Sequence, residues 1–208
     1  MNNIEKKNII KQLCNTLKII NKTPYTEFIK KFPSENIVNW HDTIISKIRQ
    51  SLKKIEEKKL LSPDFIEHIK KFVEDNNHSL DEQKMGLVYR DTHFDNILVK
   101  DNKISWILDF ERTEIWSIEY VLNIIKKMVE HPTKYMSEEF EKFAKQEDYI
   151  HLLDWFLEFY PELFEFKNLD KRLDLYFVEY DLHTLLKRPT SQWVKQMIAK
   201  ATNYTKLK

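Results

Sequence analysis

Leu87-Val88-Tyr89-Arg90-Asp91-Thr92-His93-Phe94-Asp95-Asn96-Ile97-Leu98-Val99, followed by Ile104-Ser105-Trp106-Ile107-Leu108-Asp109-Phe110-Glu111, is the stretch whose reading decides the fold. Residues 87–89, 97–99 and 104–108 are short apolar runs with strand character. The last two flank Asp101-Asn102, a tight polar turn, and this predicts a β-hairpin. Asp91 follows the first run, Asn96 comes five residues later where the second begins, and Asp109 closes the third.

On both sides the texture is helical. Ile10, Leu13, Leu17 and Ile20 keep a three-and-four spacing through residues 3–20, and Ile44, Ile48, Leu52 and Ile55 repeat it through 42–60. Ser62-Pro63-Asp64 reads as a helix start, with Ser as N-cap, Pro in the first turn and an acid beside it. Phe65, Ile69 and Phe72 form the buried stripe of that helix. Beyond Glu111, helices are predicted over 117–130, 138–160 and 170–187, with breaks at His131-Pro132, Pro161 and Pro189. The expected architecture is one α+β domain over 1–208, predominantly helical. Its parts are helices through 3–75, a loop and small central hairpin at 86–111, and helices through 117–200.

Composition narrows the function. Gly86 is the only glycine, so no GxGxxG, Walker A or glycine-rich phosphate loop exists. Helix ends must then close on residues other than glycine. Cys14 is the only cysteine, which excludes an internal disulfide and a Cys-rich zinc site. Thirty-four Lys and Arg face 33 Asp and Glu, for a net charge of +1. That balance argues against nucleic acid or an anionic membrane as partner. The N-terminus lacks an uninterrupted apolar core, and no segment approaches the roughly 20 apolar residues that cross a bilayer. A reducing, cytoplasmic setting is the expectation.

Two carboxylates and an amide at strand ends suit phosphoryl transfer. That chemistry needs one carboxylate to orient an attacking hydroxyl, and separate oxygen ligands to hold Mg²⁺ against nucleotide phosphates. Taken singly, each of Asp91, Asn96 and Asp109 is ordinary turn chemistry, because Asp and Asn side chains bond local backbone. Their order and their strand–loop–hairpin context make the reading specific.

At these residues the sequence resembles the aminoglycoside phosphotransferase family, which includes choline-kinase-like enzymes and shares its fold with protein kinases. The family's loop reads H-G-D-x-x-x-x-N, followed by I-D-F/W. Here the matching residues are Tyr-Arg-Asp-Thr-His-Phe-Asp-Asn at 89–96 and Leu-Asp-Phe-Glu at 108–111. Tyr89 and Arg90 stand where the family usually has His and Gly, and Arg90-Asp91 is also similar to the protein-kinase R-D pair. The family's G-D-P-x-x-D segment is replaced by Glu114-Ile115-Trp116-Ser117-Ile118-Glu119.

The resemblance implies a kinase-like C-terminal lobe. Asp91 would be the catalytic carboxylate and His93 an accompanying catalytic group. Asn96 and Asp109 would be the ligands of Mg²⁺ and, through it, of ATP or GTP. The implied reaction moves a γ-phosphoryl group to a hydroxyl of a small cationic molecule, aminoglycoside-like or an amino alcohol. Glu111, Asp154 and Glu158 are candidate substrate contacts, the last two within an acid- and aromatic-rich stretch at 138–166. That stretch also reads as an amphipathic helix with a solvated acidic face. No strand-rich segment or V-A-I-K motif precedes residue 86, so the family's small nucleotide-binding lobe has no counterpart before it. A homo-oligomer or a partner chain could complete the nucleotide site. The alternative is a catalytically reduced binding or regulatory protein of the same descent.

Overall fold

The computed structural model describes residues 1–31, 39–134 and 143–207. The chain forms two compact units, Met1–Asn36 with Lys84–Phe166, and Ile37–Gln83 with Lys167–Lys208.

The first unit contains α1 (Asn3–Lys22), α2 (Thr26–Lys31), β1 (Met85–Tyr89), β2 (Ile97–Lys100), β3 (Lys103–Ile107), β4 (Thr113–Ser117), α5 (Val121–Glu130) and α6 (Leu152–Phe159). A capping box starts α1. Asn2 accepts from the Ile4 and Glu5 amides, and the Glu5 carboxylate accepts the Asn2 N–H in return. The buried stripe Ile10, Leu13, Cys14 and Leu17 turns toward β1, β3 and α6.

The predicted hairpin is β2–β3, with Ile97 opposite Ile107 and Leu98 opposite Trp106. Asp101 and Asn102 sit at φ 51° and 56°, the left-handed pair that a two-residue hairpin turn needs. α1 grips this turn from outside. The Gln12 side chain donates to the Asn102 carbonyl and accepts from the Ile104 amide, and Asn102 donates to Glu5.

A second two-stranded sheet, unforeseen in the sequence, pairs β1 with β4 antiparallel, Met85 opposite Ser117 and Tyr89 opposite Thr113. The helix expected from 117 accordingly begins at Val121, after a 3₁₀ turn at Ile118–Tyr120. The helix expected over 138–160 is confined, among the described residues, to Leu152–Phe159, and its first part at 138–142 lies outside them. Apolar and aromatic spacing continues through 143–151, but the backbone there is turns and a short 3₁₀ segment.

Gly86 has a packing reason. A Cβ there would lie 2.6 Å from the Asn21 carbonyl oxygen, so only hydrogen lets the end of α1 approach β1. Asn21 fastens the same contact by donating to the Leu87 carbonyl and accepting from the buried Tyr160 hydroxyl.

The second unit is helical, with α3 (Trp40–Glu57), α4 (Pro63–Asn76), α7 (Leu169–Lys187) and α8 (Gln192–Thr202). Ser62 caps α4 with Pro63 in its first turn, as the sequence predicts. Its buried polar centre joins the Trp40 indole N–H to the Tyr176 hydroxyl at 2.8 Å, and the Arg172 guanidinium donates to the Ser79 carbonyl. With one glycine in the chain, Asn takes left-handed positions at helix ends, Asn168 before α7 and Asn203 after α8.

Candidate active site

β1 ends in Tyr89, and the chain then turns sharply. The Thr92 hydroxyl donates to the Tyr89 carbonyl at 2.8 Å, and the His93 amide donates to the Asp91 carbonyl at 2.7 Å. Thr92 is fully buried, so the turn is pinned from the inside while Asp91 stays part-exposed. A 3₁₀ turn at Phe94–Asn96 brings Asn96 back beside Asp91. Its Nδ2 donates to the Asp91 carbonyl at 3.0 Å. The Leu108 amide donates to the Asn96 carbonyl at 2.8 Å, which fixes the end of β3 to the same loop. One short chain of hydrogen bonds therefore joins Asp91 and Asn96 to Leu108, the residue before Asp109.

Asp109 follows in a left-handed conformation, φ 55° and ψ 42°. A non-glycine residue rarely takes this conformation, and Asp and Asn are the types that tolerate it best. Its carboxylate is exposed. The Tyr89 side chain lies beneath, fully buried, with its ring stacked on Phe110 at 5.3 Å. Its hydroxyl donates to the Leu108 carbonyl at 2.7 Å, close to the Asn96 side chain. Burial, with the nearby Asp91 and Asp109 carboxylates, pushes the Tyr89 phenol up to about 12, so it stays a neutral donor at ordinary pH.

The donor chemistry fits a hard cation. Because Nδ2 of Asn96 faces a backbone carbonyl, its Oδ1 is the atom left for a metal, and Asp109 adds a carboxylate oxygen. No group of three or more His, Cys, Asp or Glu capable of holding a metal occurs among the described residues. A cation here would thus need further oxygens from its ligand, as Mg²⁺ does when it bridges phosphates.

His93 Nε2 lies 3.4 Å from Asp91 Oδ1. Arg90 points away from this group. It pairs with Glu114 at 2.7 Å, and its guanidinium carbon sits 3.6 Å from the Trp116 ring centroid. Its charge is therefore already used inside the unit. Glu111 is exposed in the 3₁₀ turn Phe110–Arg112.

Glu158 is paired with Lys7 on α1 at 2.8 Å, and Asp154 faces His151 at 3.9 Å. Asp148 and Glu162 likewise meet Lys6 and Lys18, while Lys7 and Lys11 stand over the Phe159 ring. The basic face of α1 thus occupies much of the acidic, aromatic surface around α6. Sequence reasoning missed the Tyr89 tether and the Arg90–Trp116 stack. The Tyr-Arg in place of His-Gly was the available signal for both.

Leu98, Trp106, Leu108 and Phe110, close in sequence to Asn96 and Asp109, are exposed apolar residues, with Leu98 opposite Trp106 in the hairpin and Trp106 69% exposed. No helix among the described residues is long and apolar enough to cross a membrane.

No protein-family model matches the sequence, and no curated protein matches it. Solved structures do. The chain is similar to the gentamicin complex of APH(2'')-IIa at 16% identity and a TM-score of 0.66, covering 100% of this chain and 65% of that one. It is similar to ADP-bound aminoglycoside phosphotransferase APH(2'')-Ib at 15% identity and 0.62, covering 97% and 64%. A thermostable mutant of aminoglycoside phosphotransferase APH(4)-Ia, in its apo form, matches at 11% and 0.63, covering 98% and 67%. The chain spans about two thirds of each relative's length. The likeness agrees with the resemblance read from residues 89–111, and the chain has the kinase-like fold of the C-terminal lobe of the aminoglycoside phosphotransferases.

Proposed function

We propose that this protein is a phosphotransferase that moves the γ-phosphoryl group of ATP or GTP to a hydroxyl of a small cationic molecule in the cytoplasm. The observation that carries the proposal is the hydrogen-bond chain from the Asp91 carbonyl through Asn96 to Leu108. It ties the loop that carries Asp91 and Asn96 to the residue before Asp109, and two carboxylates and an amide in one neighbourhood suit phosphoryl transfer.

In this reading Asp91 orients the acceptor hydroxyl and accepts its proton. His93, 3.4 Å away, steadies the Asp91 carboxylate. Asn96 Oδ1 and the Asp109 carboxylate hold Mg²⁺. The ion would offset charge on the β- and γ-phosphates. The exposed apolar residues Leu98 and Leu108, close to them in sequence, suit a nucleobase. Solved relatives described as bound to ADP, and to ATP with streptomycin, lend support by fold. Glu111 lies near enough in sequence to Asp109 to meet an acceptor cation. Asp154 and Glu158 would do so only by exchanging their present partners.

A second reading has its own observation. The exposed residues Leu98, Trp106 and Phe110 also fit a covering polypeptide, either a partner chain or a second copy, that completes the nucleotide site. A binding or regulatory protein would use the same residues.

The test is calorimetry with ATP and GTP, with and without Mg²⁺, followed by an assay for phosphorylated acceptor. Binding that needs Mg²⁺, and turnover lost in Asp91→Asn with binding retained, is the expected result. Absence of nucleotide binding at millimolar concentration, in the protein alone and after gel filtration of any oligomer, removes the enzymatic reading.

A further inference from the structure

A cavity of about 350 Å³ opens in the first unit between α1, the start of β2 and α6. That volume lies at the small end of the range for small-molecule sites, roughly 300–1,000 Å³. Ile10, Leu13 and Leu152, all buried, line its inner part. Phe94, Tyr149 and Trp155 supply aromatic walls. Phe94 and Tyr149 are stacked, their centroids 5.9 Å apart and planes 15° from parallel. Burial raises the Tyr149 phenol above its usual range, so it stays uncharged at ordinary pH.

Charged groups of both signs reach the lining. Lys6 and Asp148 are paired with each other at 2.5 Å. The Met1 ammonium belongs to a residue 60% exposed, and an ion pair with so hydrated a group is worth little. A ligand charge of either sign would therefore leave water without a compensating partner, which is costly. The Phe94 and Tyr149 rings, whose faces could draw a cation, are already turned to each other.

Hydroxyl-rich molecules fare no better. The side chains of Ile10, Leu13 and Leu152 carry no hydrogen-bonding atom, whereas a well-held water needs about two to four polar partners. Water against this wall is readily displaced, and displacing it with an apolar group favours binding. Flat aromatic walls suit a ring, because offset and edge-to-face contacts add to the area buried.

We propose that this cavity binds a small uncharged molecule built on an aromatic ring. Binding does not rest on the phosphotransferase reading, since the lining includes Phe94 and Ile97 but not Asp91, Asn96 or Asp109.

The experiment is calorimetry without nucleotide or Mg²⁺, using toluene, benzylamine and benzoate, rings of similar size that are neutral, cationic and anionic. Toluene is expected to bind more tightly than either ion by about tenfold or more, because only the ions must shed hydration. In wild type the Ile10 and Leu13 methyl resonances, followed by NMR, should shift as toluene is added. Ile10→Trp fills the cavity and should abolish the heat of toluene binding, with its folding checked by circular dichroism. Should that variant fail to fold, the methyl shifts locate the site alone. The proposal is overturned if either ion binds as tightly as toluene, or if toluene gives no heat up to its solubility limit. It is equally overturned if the Ile10 and Leu13 methyls stay still, or if a folded Ile10→Trp binds toluene as wild type does. Because no nucleotide is present, absence of phosphoryl transfer in a separate assay leaves this result standing, and the reverse also holds.

Discussion

The Tyr89 hydroxyl donates to the carbonyl of Leu108, the residue before Asp109, at 2.7 Å from a fully buried position. One side chain at the end of β1 therefore sets where β3 ends and where the Asp109 carboxylate emerges. Tyr89→Phe keeps the ring and its stack on Phe110 but leaves the Leu108 carbonyl unpaired. Stability should fall by about 1–3 kcal/mol, read by chemical denaturation. Mg²⁺-dependent nucleotide binding should weaken about tenfold, as when a group that orients a metal ligand is lost. A destabilised variant with unchanged nucleotide affinity would reduce Tyr89 to a packing residue.

Asp109 can be tested without disturbing its backbone. At φ 55°, Asn is the substitute that best tolerates the left-handed conformation, whereas Ala is strained there. Asp109→Asn should melt close to wild type and lose Mg²⁺-dependent nucleotide binding. Asp109→Ala should lose the same binding and about 1 kcal/mol of stability besides. Equal melting temperatures for the two variants would show that the conformation is not held in solution.

Gly86→Ala places a methyl group 2.6 Å from the Asn21 carbonyl, a backbone atom that cannot swing aside. α1 must shift away from β1, at a cost of about 1–3 kcal/mol by denaturant unfolding. The same shift stretches the Asn21 bonds to Leu87 and Tyr160. Wild-type stability in this variant would contradict the close approach.

Alkali should unfold this protein early. Burial pushes the Cys14 thiol and the Tyr89 phenol each up to about 12, from 9.0 and 10.0, and raises Tyr160 as well. These groups keep their protons in the folded state at pH values where the unfolded chain releases them. Their contribution is complete below pH 9 and is lost as pH rises from 9 through 12. Each proton retained contributes a slope of about 1.4 kcal/mol per pH unit. Melting temperatures between pH 7 and 11 should decline from about pH 9 in wild type, and from about pH 10 in Cys14→Ala. A flat profile to pH 11 would mean that these groups are hydrated in the folded state.

What the sequence by itself determined was local. The hairpin followed from Asp101-Asn102 between two apolar runs, since a two-residue turn needs only residues that accept positive φ. The α4 start followed from Ser62-Pro63, because a cap is settled within four residues. The spacing of Asp91, Asn96 and Asp109 likewise lay within 19 positions of one strand–loop–hairpin, and the fold it implied is the fold observed.

Only the tertiary structure decided what depends on distant partners. β4 was hidden because Ile115, Trp116 and Ile118 run without a break into the apolar pattern of α5. Its strand character comes from pairing with β1, some 30 residues earlier. The acids around α6 read as open surface until Lys6, Lys7 and Lys18 of α1 met them across more than a hundred residues. The cavity is a product of the same long-range contacts, its walls drawn from residues 1–13, 94–99 and 148–155. Periodicity records which face of an element is apolar. It does not record which other face will cover it, because that is chosen by packing and charge over the whole unit.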